Sequence, residues 1–166
     1  MEHLWSPWRT QHVEEWSRKP AGEKGSLFER LAAEDRDEEN LILWRGETCF
    51  VIMNLYPYNN GHCMIVPYRR IEAFREMTGD ERREAFDTVD RVIGWLEQAL
   101  SPDGFNVGVN QGEAAGAGIP DHLHVHVVPR WQSDTNFMPT TAQTKVIPEA
   151  LRSTYAKLRA AIAEEA

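Results

Sequence analysis

The sequence predicts an α+β domain built on a mostly antiparallel sheet. Short apolar runs separated by turn residues mark strands. A long segment with helical apolar spacing interrupts them, and a second helix closes the chain. No stretch resembles a linker long enough to separate two domains, and no internal repeat is visible.

Each element has a local reason. The first forty residues are charged and poorly periodic, but Ser26 with Glu29 forms a capping-box pair that opens a short helix. Leu41–Trp44 and Thr48–Met53 read as two strands joined near Gly46. His62–Val66 is a third, reached through the loop Asn54–Gly61. Thr78 and Glu81 form a second capping pair. After it Ala85, Phe86, Val89, Val92, Ile93, Leu96 and Leu100 mark one helical face, which Pro102 and Gly104 end. Phe105–Val109 and His122–Val128 read as two more strands around a glycine-rich loop. Pro148 suits the first turn of a closing helix.

Composition narrows the classes of partner. The chain has 166 residues, 42% hydrophobic and 27% charged, an ordinary globular balance for one domain. Its net charge of −8 argues against non-specific nucleic-acid binding, which needs a broad cationic surface. A small anionic substrate remains compatible, because a few local donors decide that. Cys49 and Cys63 lie in strand-like runs without metal-type spacing and read as buried free thiols in a reducing cytoplasm. The polar start and the lack of any long apolar run predict neither a signal peptide nor a membrane span.

The most informative stretch is His122-Leu-His124-Val-His126-Val-Val128. Alternation along a strand puts His122, His124 and His126 on one face, with Leu123, Val125 and Val127 on the other. The apolar face gains from burial and the histidine face does not. A lone histidine there would read as structural; three at strict spacing beside a glycine-rich loop read as a reactive site. Metal ligation is the rival. At a rise of ~3.3 Å per residue, His122 and His126 lie ~13 Å apart along the strand. One ion with bonds of ~2.0–2.1 Å reaches two of them easily but three only with strain. An extended substrate suits that spacing better. The loop Gly112–Ile119 lets backbone N–H groups turn toward phosphate oxygens, and it lacks the Lys-Ser/Thr ending of a P-loop. Asn54 and His62 flank an Asn59-Asn60-Gly61 turn, which reads equally as loop chemistry or as part of the site.

The segments His122–Val128, Asn54–His62, Val128–Trp131, Asp134–Phe137 and Lys145–Pro148, with Leu4–Arg9, resemble the histidine-triad family. Together they look like a bacterial branch that includes diadenosine tetraphosphate phosphorylases. The resemblance implies a five-stranded antiparallel sheet with flanking helices, usually paired as a homodimer. It divides the chain into an N-terminal extension, 1–40, packed on a histidine-triad domain, 41–166. It implies His124 as nucleophile, His126 on the phosphate under attack and His122 as an orienting group, with His62 beside them. Asn54 aligns with a ribose contact, and Asn110 with Gly116, Ala117, Gly118 and Ile119 aligns with phosphate contacts. Many relatives carry a Cys-x-x-Cys zinc pair where this chain has Ser26 and Glu29, so no metal or other cofactor is expected. Other relatives place a side-chain donor where this chain has Ala117 and Gly118.

The implied reaction is attack of a neutral His124 ring on the α-phosphorus of an adenosine nucleotide, then transfer to inorganic phosphate or water. The other ring nitrogen needs a backbone carbonyl to fix the tautomer. Ile52, Met53 and Met64 are base-pocket candidates or plain core. Arg130 reads as a phosphate contact or a solvated charge, and Trp131 as a cap on the substrate or ordinary packing. Three alternatives remain: a hydrolase of adenosine phosphoramidates or dinucleoside polyphosphates, a non-catalytic nucleotide sensor, and a metal protein.

Overall fold

The computed structural model describes residues 25–134 and 149–165. Helix α1 (Leu27–Ala33) is followed by strands β1 (Ile42–Arg45), β2 (Cys49–Met53) and β3 (Cys63–Pro67). A 3₁₀ turn (Phe74–Glu76) leads into helix α2 (Gly79–Leu100). Strand β4 (Gly104–Val109), a second 3₁₀ turn (Glu113–Ala115), strand β5 (Val125–Arg130) and helix α3 (Leu151–Glu165) complete the chain. All pairings are antiparallel, in the order β1-β2-β3-β5-β4. The predicted α+β class and five-stranded antiparallel sheet are therefore observed. Leu4–Arg9, Thr135–Phe137 and Lys145–Pro148 lie outside the described residues.

Both capping boxes form. Ser26 Oγ accepts the Glu29 N–H and Thr78 Oγ1 the Glu81 N–H, while each glutamate reaches back to the N–H of its cap. Helix α2 ends at Ser101 in a left-handed conformation, φ 48°. The β1–β2 hairpin is held from α2: the Glu84 carboxylate accepts the N–H groups of Glu47 and Thr48. These bonds satisfy turn donors that the strand ladder leaves unpaired.

The sheet has two unlike faces. On one, Leu43, Val51, Cys63, Ile65, Leu123, Val125 and Val127 pack against α2 and α3 through Val92, Trp95, Leu96, Tyr155 and Leu158. On the other, Ile42, Phe50, Ile52, Met64 and Val66 form a smaller cluster closed by Phe28 of α1. Ile52 and Met64 belong to this second cluster, whereas Met53 lies in the first.

Three expectations need correction. Phe86 does not share the buried face of α2; it is 58% exposed, and its ring meets that of Phe74 edge to face. It follows Ala85 directly, one hundred degrees round the helix, so the buried stripe runs through Ala85, Thr88, Val92, Trp95 and Leu96 instead. The last strand begins at Val125 rather than His122, because the Leu123 N–H leaves the ladder for the Ile71 carbonyl. The histidine face is not open either: His122, His124 and His126 are all buried.

Candidate active site

The site is assembled on the smaller face, where β3 meets β5. His126 pairs in register with Met64 of β3 and Gly108 of β4, so it sits mid-sheet. His62 enters just before β3 from the loop Asn54–Gly61. That loop needs its last glycine: Gly61 has φ +73°, and a Cβ there would lie 2.6 Å from Leu100 and 3.2 Å from Pro129.

The histidines have distinct environments. His124 Nδ1 lies 2.8 Å from the carbonyl oxygen of His122 and must carry the proton that this oxygen accepts. Its Nε2 is then a bare lone pair. Among the described residues no group bonds to that nitrogen, and every fully buried side-chain nitrogen or oxygen has a partner. Nε2 of His124 is thus left without a hydrogen-bond partner among the described residues, although the residue is only 5% exposed. Burial holds the His124 pKa below the ordinary imidazole range, against the carbonyl bond that raises it, so the ring is neutral at pH 7.

His126 and His62 form a directed chain. The Tyr58 N–H donates to His62 Nδ1 at 3.1 Å, so His62 carries its proton on Nε2. That proton is donated to His126 Nδ1 at 2.9 Å, and the His126 proton therefore sits on Nε2. The Asn110 amide nitrogen lies 3.5 Å from this second donor. Tyr58 stacks on His126 with centroids 5.5 Å apart, and the His124 and His126 rings meet edge to face at 4.7 Å.

His122 is different again. Its ring is completely buried, with Nε2 donating to the Pro67 carbonyl at 2.8 Å and Nδ1 on Ser26 Oγ at 2.5 Å. Burial, its largest influence, lowers its pKa. The ring cannot touch a substrate; what His122 presents to His124 is its backbone oxygen.

The remaining candidates divide. Asn54 spends its Oδ1 on the Tyr56 N–H in a turn, which leaves its amide protons for other partners. Within Gly116–Ile119, the N–H groups of Gly116 and Ala117 bond back to Glu113 and Gly112, whereas those of Gly118 and Ile119 make no bond among the described residues. Ile119 packs on the smaller cluster. Trp131 lies beyond β5, half-buried, with its N–H on Asp134 and no ring contact with the histidines. Arg130 is not a spare cation: it forms a two-pronged ion pair with Asp134 and also donates to Asn106. Two contributors had no sequence signal as site residues, Phe28 and Ser26. Phe28 places its ring 5.4 Å from that of His122 and 5.3 Å from that of His124.

Ser26 and Glu29 do not fit a zinc ion. The Glu29 carboxylate holds the Ser26 N–H, the hydroxyl holds His122, and no thiolate is nearby to replace them. Among the described residues no cluster of three or more His, Cys, Asp or Glu side chains is placed to hold a metal.

A sheet of this order, with three alternating histidines buried beneath a short helix, defines a histidine-triad protein. Residues 36–133 match the HIT domain model, and the chain belongs to that family. It is 39% identical over 158 residues to a protein of Mycobacterium tuberculosis (strain ATCC 25618 / H37Rv) named AP-4-A phosphorylase, covering 93% of this chain and 80% of that one. It is also 30% identical over 93 residues to the asymmetrical bis(5'-nucleosyl)-tetraphosphatase of Schizosaccharomyces pombe, covering 56% of this chain and 50% of that one. In structure it is similar to a hypothetical histidine triad nucleotide-binding protein of Sulfolobus tokodaii, with TM-score 0.66 and 24% identity over 82% of this chain and 91% of the other.

Proposed function

We propose that this chain is a nucleotidyltransferase that cleaves diadenosine polyphosphates, diadenosine tetraphosphate foremost, through a nucleotidyl-histidine on His124. The observation that carries the reading is the His124 ring: its Nδ1 proton is held by a carbonyl, and its Nε2 lone pair has no partner among the described residues. That is the state a nucleophilic imidazole needs before attack, with no proton to remove first. Beside it, the His126 ring and the side-chain amide of Asn110 lie 3.5 Å apart, two groups able to donate to the same anionic oxygen. They stabilise charge on the phosphorus under attack, joined by the N–H groups of Gly118 and Ile119. The first half-reaction forms a bond from Nε2 to the α-phosphorus and breaks its bond to the bridging oxygen, which leaves as a nucleoside polyphosphate. The second passes the nucleotidyl group to the acceptor and returns His124 to its starting state.

The name of the Mycobacterium relative favours inorganic phosphate as that acceptor. With diadenosine tetraphosphate and millimolar phosphate the products are then ADP and ATP. AMP as the sole partner of ATP would make the protein a hydrolase, the reading favoured by the Schizosaccharomyces relative. Alkaline quench and mass spectrometry locate the adduct; a nucleotidyl group on His122 or His126 would reject His124 as nucleophile. The chain acts as a homodimer in this reading. One of the two edge strands of the sheet is β4, whose Val107 is exposed. Light scattering in solution that returns a monomer mass would remove that part.

A further inference from the structure

We infer that Ser26 is a positioning residue for the nucleophile, acting through His122 rather than serving only as a helix cap. The inference rests on the reading of His124 as nucleophile, and it concerns a residue outside the segment matched by the family model.

Two sets of bonds fix the role. Ser26 Oγ accepts the Glu29 N–H at 3.1 Å, which completes the cap. A hydroxyl that accepts there still has its own proton to place, and the group in reach is His122 Nδ1 at 2.5 Å. The opposite ring nitrogen donates to the Pro67 carbonyl, so Nδ1 has to accept in the neutral ring. Donor and acceptor match, and one tautomer of His122 is selected. The side chains involved are buried: Ser26 is 3% exposed and His122 0%. No water competes for either bond.

The consequence passes along the backbone. A ring clamped at both nitrogens, between β3 and the start of α1, fixes the plane of the His122 peptide. The oxygen of that residue is what holds the Nδ1 proton of His124. Phe28, two residues after Ser26, lays its ring against both histidines and closes the same corner. The charged groups whose fields reach His122 are Glu29, Asp121 and Arg70. Glu29 is engaged by the Ser26 N–H, and Arg70 and Asp121 are paired with one another. Neither arrangement supplies a replacement donor to Nδ1.

A cap and a positioning group separate by substitution. Ser26→Gly retains most capping, since glycine is well tolerated at a helix start, but it has no hydroxyl proton. Ser26→Thr keeps both functions. The full-length protein would be assayed for steady-state turnover of diadenosine tetraphosphate with phosphate, for thermal unfolding, and for ring ¹⁵N shifts of the histidines without substrate. In the wild type the shifts should show His122 protonated on Nε2 and His124 on Nδ1. Ser26→Gly should lower kcat roughly tenfold, the scale of one lost orienting hydrogen bond, with KM unchanged. It should also turn the single His124 tautomer into a mixture, and Ser26→Thr should recover both. A Gly variant with wild-type kcat and a single His124 tautomer would overturn the inference, whatever its melting temperature. So would a Thr variant as slow as the Gly variant. Wild-type protein that turns over no dinucleotide would instead fault the proposed function, while the ring shifts would still test the Ser26 contact.

Discussion

The two faces of the sheet use burial for different ends. The face under α2 and α3 is an apolar core in which Leu96, Leu158, Val92 and Val127 are almost completely enclosed. The face under α1 encloses polar rings just as tightly, yet both nitrogens of His122 and His62 and the Nδ1 of His124 and of His126 have a partner. On the first face burial stabilises the fold, at about 1.5–3 kcal/mol for each large side chain. On the second it selects protonation states, because a histidine without water must take the tautomer its neighbours dictate. Turnover should therefore follow the second face and stability the first.

The largest effect expected is from His124→Ala, which should reduce turnover by on the order of 10⁴-fold or more while nucleotide affinity, measured by calorimetry, stays near wild type. Residual turnover within tenfold of wild type would mean that the reactive group lies elsewhere. Leu158→Ala, on the opposite face, should cost about 2–5 kcal/mol in chemical denaturation and leave kcat per folded molecule within about twofold. A large fall in kcat there would show that the faces are coupled. His62→Asn removes the proton that His126 Nδ1 accepts and should lower kcat by roughly 10²-fold. An unchanged rate would remove the directed chain from the mechanism.

The pH dependence has a definite sign. Both His122 and His124 are held below the ordinary value of 6.5 by burial. The unfolded chain takes up protons near that pH that the folded chain refuses, so the stability they provide is complete above 6.5 and is lost as pH falls below it. The acidic limb of kcat/KM should also lie below 6.5, and a limb at or above it would contradict a neutral, desolvated nucleophile. The smallest effect belongs to Phe86→Ser, at an exposed position, which should shift stability by no more than about 0.5 kcal/mol. A larger loss, dependent on protein concentration, would instead reveal a partner surface there.

Much of this arrangement was legible because strand alternation and capping are local rules. The alternation of His122, His124 and His126 with Leu123, Val125 and Val127 follows from a period of two, and the structure puts the apolar three in the main core. Both capping boxes were readable from residues three apart. What covers the histidines was not readable, since Ser26 meets His122 across ninety-six residues of chain. The capping signal located the helix start and said nothing of the second bond its hydroxyl makes. Arg130 reads equally as a phosphate contact or a solvated charge, and its ion pair with Asp134, four residues on, is neither. Phe86 reads as part of the buried stripe because apolar character alone does not distinguish adjacent positions at the margin of a helix face.

The two thiols have a practical consequence. Cys49 and Cys63 are both buried, and desolvation pushes each up to about 12. Alkylating reagents and mild oxidants act on the thiolate, which at neutral pH is then present at only about one part in 10⁵ of either residue. Cys63 follows His62 directly and spends its S–H on the Gly61 carbonyl, so even the thiol nearest the site is guarded by the fold. A single cysteine engineered onto the surface would consequently take a maleimide dye selectively, with both native cysteines left in place. Fluorescence could then report on movement of the Asn54–Gly61 loop without a cysteine-free background.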